Sequence, residues 1–205
     1  MSGTYAATRH SLHGLAELVL AGPRYVAGGS MRLRAGPDGI RTWDDPAVLL
    51  SGGELVTGTT RLPVAGLTYA SAAAGVGLVA QPLDYVYHDG PHVSPDDVVT
   101  LDPDQAVVVQ DALGRGDAAL RRFARDAQPI LWPEHFDVAI TLGEVNYGVS
   151  PGDGFLDSPY AYVGPHQART GPFWNAPFGA ARPLADLADV DAVVAFFTEG
   201  AARAG

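Results

Sequence analysis

Apolar residues recur at helical spacing in three long intervals and alternate with polar ones in several shorter ones. The first helical interval is 8–20, where Leu12, Leu15, Ala16 and Val19 form one stripe. Thr8 is a candidate N-cap, and Gly22 and Pro23 are expected to end the element. His10, His13 and Glu17 share the opposite face, read as solvated, with a metal site as the sharper alternative. The second interval, 104–124, places Ala106, Val109, Leu113, Leu120 and Phe123 on a broad face; Gly114 and Gly116 predict a weak middle or two short helices. The third, 187–202, carries Val190, Val193, Val194 and Phe197, with Asp186 and Asp189 resembling a capping pair. The Ala-rich segment 67–77 reads as a short helix.

Strand patterning fills much of the rest. Residues 24–35 suit a strand, strictly alternating from Met31 to Arg34, and the Gly36-Pro37-Asp38-Gly39 turn returns it through 40–43. A second hairpin is expected over 54–63, turning near Gly58. Residues 78–88 look extended, with Pro82 as a bend, and 89–103 is loop. In the second half, 136–142 is a strand with Val138 and Ile140 on one side and Asp137, Ala139 and Thr141 on the other. Residues 146–150 extend it or begin a loop, 160–163 form another strand, and Phe173 and Trp174 open a third. Connections this short favour an antiparallel meander. The predicted class is therefore α+β: one domain over 1–205, a mainly antiparallel and strongly curved sheet, about three helices on one side.

Composition narrows the chemistry. With 25 Gly and 16 Pro the chain is rich in turns, and 47% apolar residues make it globular. All 13 basic residues are Arg, which removes Schiff-base lysine chemistry and a P-loop lysine. Cysteine is absent, so thiol catalysis and cysteine metal sites are out. The net charge of -10 is uneven: residues 1–83 hold 6 Arg against 5 acids, a net of +1, and residues 84–205 hold 7 Arg against 18 acids, a net of -11. An acidic half without a basic stripe repels phosphate backbones, which disfavours nucleic acid as a partner. No stretch has the layout of a secretory signal or the length of a membrane span, and the expectation is a soluble, cytoplasmic protein with no membrane partner.

Candidate chemistry concentrates in residues 129–179. Trp132, His135, Asp137, Asn146, Tyr160, Tyr162, His166 and Trp174 are the candidate ligand-binding residues, combining aromatic bodies with polar tips among turns. The competing reading is the aromatic core of a Pro-rich sheet. His135, Asp137 and His166 form a weaker candidate metal set, since imidazole and carboxylate suit Zn, Fe or Mn. Asp153 and Asp157 sit in a Gly-rich loop that turn chemistry explains better than calcium. Glu134 with Asp137 or Glu144 is a formal carboxylate pair of unfixed separation. No GxSxG elbow and no strand-to-helix GxGxxG is present. Arg115-Gly116-Asp117 spells an adhesion tripeptide that chance explains better.

Arg121-Arg122-Phe123, then Trp132, Phe136, Asp137, Val138, Ala139 and Thr141, a Pro-Gly-Asp turn at 151–153, the strand 159–163 and an FWNAPF-like segment follow one another in a characteristic order. Over residues 121–200 this order resembles a largely bacterial family catalogued only as a domain of unknown function. The resemblance implies an α+β fold with antiparallel sheet and carries no reaction, cofactor or catalytic residue. Three functional expectations result: a small-molecule-binding or structural protein, a metal-assisted hydrolase or isomerase, and a homodimerising module pairing its edge strands.

Overall fold

A computed structural model describes residues 3–43 and 47–205. The chain opens with an uninterrupted helical run: α1 (Gly3–Gly14), a π-helical segment (Leu15–Ala21) and α2 (Gly22–Gly28). The predicted stop at Gly22 and Pro23 is overrun. Proline lacks an N–H and crowds the preceding turn, and the wider π-turn accommodates it. The Leu18 carbonyl, which a Pro23 N–H would otherwise serve in that π pattern, accepts instead from the Gln81 N–H at 2.9 Å. All seven residues of the π segment are buried.

That substitution also explains why residues 78–88 form no strand. Their donors go to the first helix rather than to a neighbouring strand. Gln81 bonds to Leu18, and Leu83 N–H donates to Glu17 Oε1 at 3.2 Å while the Tyr87 hydroxyl donates to Glu17 Oε2 at 2.8 Å. Glu17, expected on a wet face, is 1% exposed. The segment is a strap tied across the π-helix by one buried carboxyl group. Continuing α2 likewise shortens the predicted strand at 24–35 to β1 (Leu33–Gly36), after a left-handed cap at Gly29.

Strands β1, β2 (Gly39–Thr42), β3 (Leu49–Ser51), β4 (Glu54–Thr57) and β5 (Thr60–Pro63) run as one meander. Strands β6 (Ile130–Trp132), β7 (Asp137–Leu142), β8 (Val145–Ser150), β9 (Tyr160–Pro165) and β10 (Ala180–Pro183) run as another. They join through Leu33↔Leu131, giving the order β10-β9-β8-β7-β6-β1-β2-β3-β4-β5, antiparallel throughout. The α+β expectation of an antiparallel sheet with helices holds. Strong curvature does not: the ten strands lie in an open row whose edges, β10 and β5, do not meet. Nor are there about three helices. With α3 (Tyr69–Gly75), α4 (Pro103–Phe123) and α5 (Val190–Ala204), the described residues contain four helical bodies, counting α1 to α2 as one, besides a single 3-10 turn at Leu184–Asp186.

Helix α4 sets the layering. Asp102 caps it through Gln105 N–H at 3.0 Å, Pro103 opens it and Arg121 and Arg122 close it. It does not break at its glycines. A Cβ on Gly116 would stand 2.6 Å from Val138 Cγ1 and 2.7 Å from Val149 Cβ, so the missing side chain is what lets helix meet sheet. Close packing offsets the ~1 kcal/mol that glycine costs in a helix. On the same face Tyr147 meets Phe123 and Phe197, at ring separations of 4.8 and 5.9 Å, and Gly200 of α5 abuts Val163. Phe173 and Trp174 lie in a turn rather than a strand. There the Asn175 side chain supplies the ladder bonds to Ala181, accepting from its N–H at 2.9 Å and donating to its carbonyl at 3.1 Å. Asp189, not Asp186, caps α5 through Ala192 N–H at 2.9 Å.

Burial raises the proton affinity of Glu17 above the ordinary carboxylate range, opposed by the bonds from Tyr87 and Leu83. A raised folded-state pKa favours the protonated form, so this contribution is full below the unfolded pKa and is lost as pH rises through the folded one. Glu17→Ala should cost about 2–4 kcal/mol in chemical denaturation, for two lost anchors and a cavity. Glu17→Gln keeps one acceptor and one donor and should change stability far less. The wild type minus Gln difference should become less favourable to the wild type between acidic and neutral pH; a pH-independent difference contradicts the assignment.

Candidate functional site

Strand alternation divides β7, β8 and β9 cleanly. Val138, Val149 and Ala161 align in one row and Ile140, Tyr147 and Val163 in another, both toward the helices. Ala139, Gly148 and Tyr162 align on the opposite face, as do Thr141, Asn146 and Gly164. Two adjoining hollows lie on that face, walled by strand and loop residues. One of about 460 Å³ is lined by His135, Asp137, Asn146, Tyr160, Tyr162 and His166, together with Ser150, Asp153 and Phe178. The other, about 680 Å³, shares His135, Asp137, Asn146 and Tyr162 and adds Trp132. The geometry thus places six of the eight sequence candidates around one hollow and Trp132 around its neighbour. Trp174 stands apart, packed edge-on against Phe173 at 4.9 Å.

Gly148 makes the arrangement possible. A Cβ there would sit 2.5 Å from the Tyr162 hydroxyl and ring. Without it, the Tyr162 ring lies across β8 from β9 and its hydroxyl donates to Asp137 Oδ2 on β7. A parallel pair stands beside it: the Tyr160 hydroxyl donates to Asp153 Oδ2 at 2.5 Å. Tyr160 and Tyr162 are 6.3 Å apart, and Phe178 meets them at 6.4 and 6.1 Å, forming an aromatic wall over two carboxyl groups.

Asp137 is 6% exposed. Burial pushes its pKa up, opposed chiefly by the Tyr162 hydrogen bond and then by the His135 imidazole. Its second oxygen, Oδ1, is closed to solvent and meets no hydrogen-bond partner among the described residues. A buried acceptor left unpaired costs about 1–3 kcal/mol, a cost the fold carries at this atom. Burial, with Asp137 beside it, holds the Tyr162 phenol well above its usual range; burial and Asp153 do the same for Tyr160. Both tyrosines are therefore donors to their carboxylates.

The metal expectations fail on donor placement. Among the described residues no three His, Asp or Glu side chains are grouped to hold an ion. Asp137 Oδ2 is taken by Tyr162, His166 Nε2 faces Asn146 Oδ1 at 3.3 Å, and His135 Nε2 lies 3.9 Å from Glu134. Asp153 Oδ1 accepts from the N–H groups of Phe155 and Leu156 at 2.8 and 3.2 Å, which is turn chemistry rather than calcium ligation. The first-helix set separates as well. Glu17 faces the strap, while His13 stacks on Phe136 at 5.0 Å and its Nε2–H donates to the Pro133 carbonyl at 2.5 Å. Burial lowers the His13 pKa to about 4, leaving a neutral ring at physiological pH. That ring braces the turn carrying His135, where Phe136 adopts a left-handed φ of 51°.

Sequence reasoning missed Ser150 and Gly148 and explained Asp153 by turn chemistry in preference to calcium, while Phe178 belongs to the aromatic interval 129–179 that it singled out. The signal for the first two was the two-residue period of β8, in which 146, 148 and 150 share a face. Reading it required the register Gly148↔Tyr162, which no local pattern supplies.

Fold and site together define an α+β protein with a ten-stranded open antiparallel sheet, helices packed on one face of β7 to β9 and a concave aromatic–carboxylate surface on the other. No family model, curated protein or solved structure matches the chain. Among the described residues no helix is long and apolar enough to cross a membrane.

Gly148→Ala should push the Tyr162 ring off β8, break its bond to Asp137 and destabilise the fold by about 1–3 kcal/mol. Tyrosine near-ultraviolet dichroism and denaturation read both effects. Unchanged dichroism and stability would show that the ring does not lie there.

Proposed function

We propose that the protein binds a small organic molecule in the hollow framed by Tyr160, Tyr162, Phe178 and Asp137. The observation that supports this most is convergence: an aromatic wall, a buried carboxyl group and the polar tips of Asn146 and the two histidines line one concavity. Its volume, about 460 Å³, falls among those of ordinary ligand pockets. Ligand sites combine an apolar wall with a few oriented polar groups, and this hollow has both. The rings sit on the face opposite the helix-packed core formed by Val138, Val149 and Val163, so core packing does not account for them. Donor placement disfavours the metal-assisted alternative.

A fragment screen by protein-observed nuclear magnetic resonance tests the reading. Fragments should perturb Tyr160, Tyr162 and Asn146 signals together. Phe178 is 37% exposed, so Phe178→Ala should fold and weaken the hits about tenfold by removing one ring of the wall. An empty screen, or hits indifferent to Phe178→Ala, would contradict the proposal.

A further inference from the structure

We infer that the ligand of this hollow is a neutral molecule presenting a carbonyl oxygen, as in a ketone, ester or tertiary amide, to the side-chain N–H groups of Asn146, with its apolar body against Phe178 and Tyr162. The inference rests on the small-molecule reading above and adds the polarity and chemical class of the ligand.

The carboxyl groups of the wall are engaged within the protein. Asp137 accepts from the Tyr162 hydroxyl through Oδ2, and its Oδ1 is closed to solvent. Asp153 accepts from the Tyr160 hydroxyl through Oδ2 and from the Phe155 and Leu156 N–H groups through Oδ1. Their charges have partners too. The His135 imidazole acts on Asp137, and Arg9 Nη1 lies over Gly152, next to Asp153. Neither carboxyl group calls for a charged ligand.

Asn146 differs. It is half-buried and lines both hollows. Its Oδ1 is held from two sides: the Thr141 hydroxyl donates to it at 2.8 Å, and His166 Nε2 approaches it at 3.3 Å. These contacts turn the amide so that Nδ2 stands away from them. Among the described residues that nitrogen has no hydrogen-bond partner, and it stays open to solvent. Its neighbour across the ladder, Gly164, has no side chain to cover it. An amide nitrogen only donates, so the group it can take is an acceptor.

The competing ligand classes fit less well. A carbonyl oxygen accepts and brings no proton that needs a partner of its own. An ammonium group would face the Asn146 donors and carboxyl oxygens already in use. A carboxylate would add a negative group beside Asp137 and Asp153. A hydroxyl can accept, but its own proton would compete for engaged acceptors. The apolar body has a ready surface: Phe178, its ring 6.1 Å from that of Tyr162, lines the same hollow as Asn146.

The test holds the frame constant and varies the polar group. Titration of the full chain, followed by nuclear magnetic resonance, compares benzylacetone with the alcohol and the primary amine of the same skeleton. The ketone should bind about three- to tenfold more tightly than the alcohol, the worth of one net hydrogen bond, with the amine weakest. It should also shift the Asn146 side-chain amide signals. Asn146→Asp keeps the shape and replaces the donor by an acceptor; it should weaken the ketone about tenfold and not the amine. The wild-type comparison stands on its own should that variant fail to fold. A ketone no tighter than the alcohol or the amine, or one indifferent to Asn146→Asp, would overturn the carbonyl ligand while leaving the hollow as a binding site. Binding by none of the three would overturn it too, and an empty fragment screen beside it would remove the small-molecule reading as well.

Discussion

The close seat of Gly116 against Val138 and Val149 decides which face of the sheet is buried. An antiparallel strand alternates its side chains, so once one row of β7 and β8 is pressed against α4, the other row is committed to the far side. That row holds Asp137, Ala139, Thr141, Asn146, Gly148 and Ser150. The site is thus a consequence of helix packing one layer away. The glycine that weakens α4 in isolation is the residue that lets it approach.

The same trade recurs on the other face. Gly148 gives up a side chain in mid-strand, and the freed space is filled by the Tyr162 ring on its way to Asp137. The result is a carboxyl group buried with one oxygen bonded and the other not. Burial without full pairing disfavours the charged form, in line with the raised proton affinity of Asp137. Glu17 offers the contrast within the same chain. It too is buried and raised in proton affinity, but both of its oxygens are engaged, by Leu83 and Tyr87. Glu17 holds a strap in place; Asp137 has an acceptor left over.

Period and turn chemistry made much of the fold legible. The hairpins at Gly36–Gly39 and around Gly58, the α4 interval, the Ala-rich α3 and the Asp137–Leu142 strand all follow from local pattern. The errors share a cause: the competing partner was distant in sequence. Residues 78–88 look like a strand, but Glu17 and Leu18 claim their donors. Pro23 looks like a stop, but Gln81 satisfies the carbonyl that its missing N–H leaves free. Curvature depends on how the two meanders join, and the Leu33↔Leu131 pairing leaves no trace in either segment. For the site, ring and imidazole composition pointed to the right interval. It could not separate Trp174, held in a turn beside Phe173, from the residues that face the hollow.

The account depends on Asp137 being a buried carboxyl group whose main support is the Tyr162 hydroxyl. Titration of its side-chain carboxyl carbon by nuclear magnetic resonance measures this directly, in the wild type and in Tyr162→Phe. Burial should place the wild-type midpoint above the ordinary carboxylate range, and loss of the Tyr162 donor should move it higher still. A midpoint within or below that range, unmoved by Tyr162→Phe, would contradict the account.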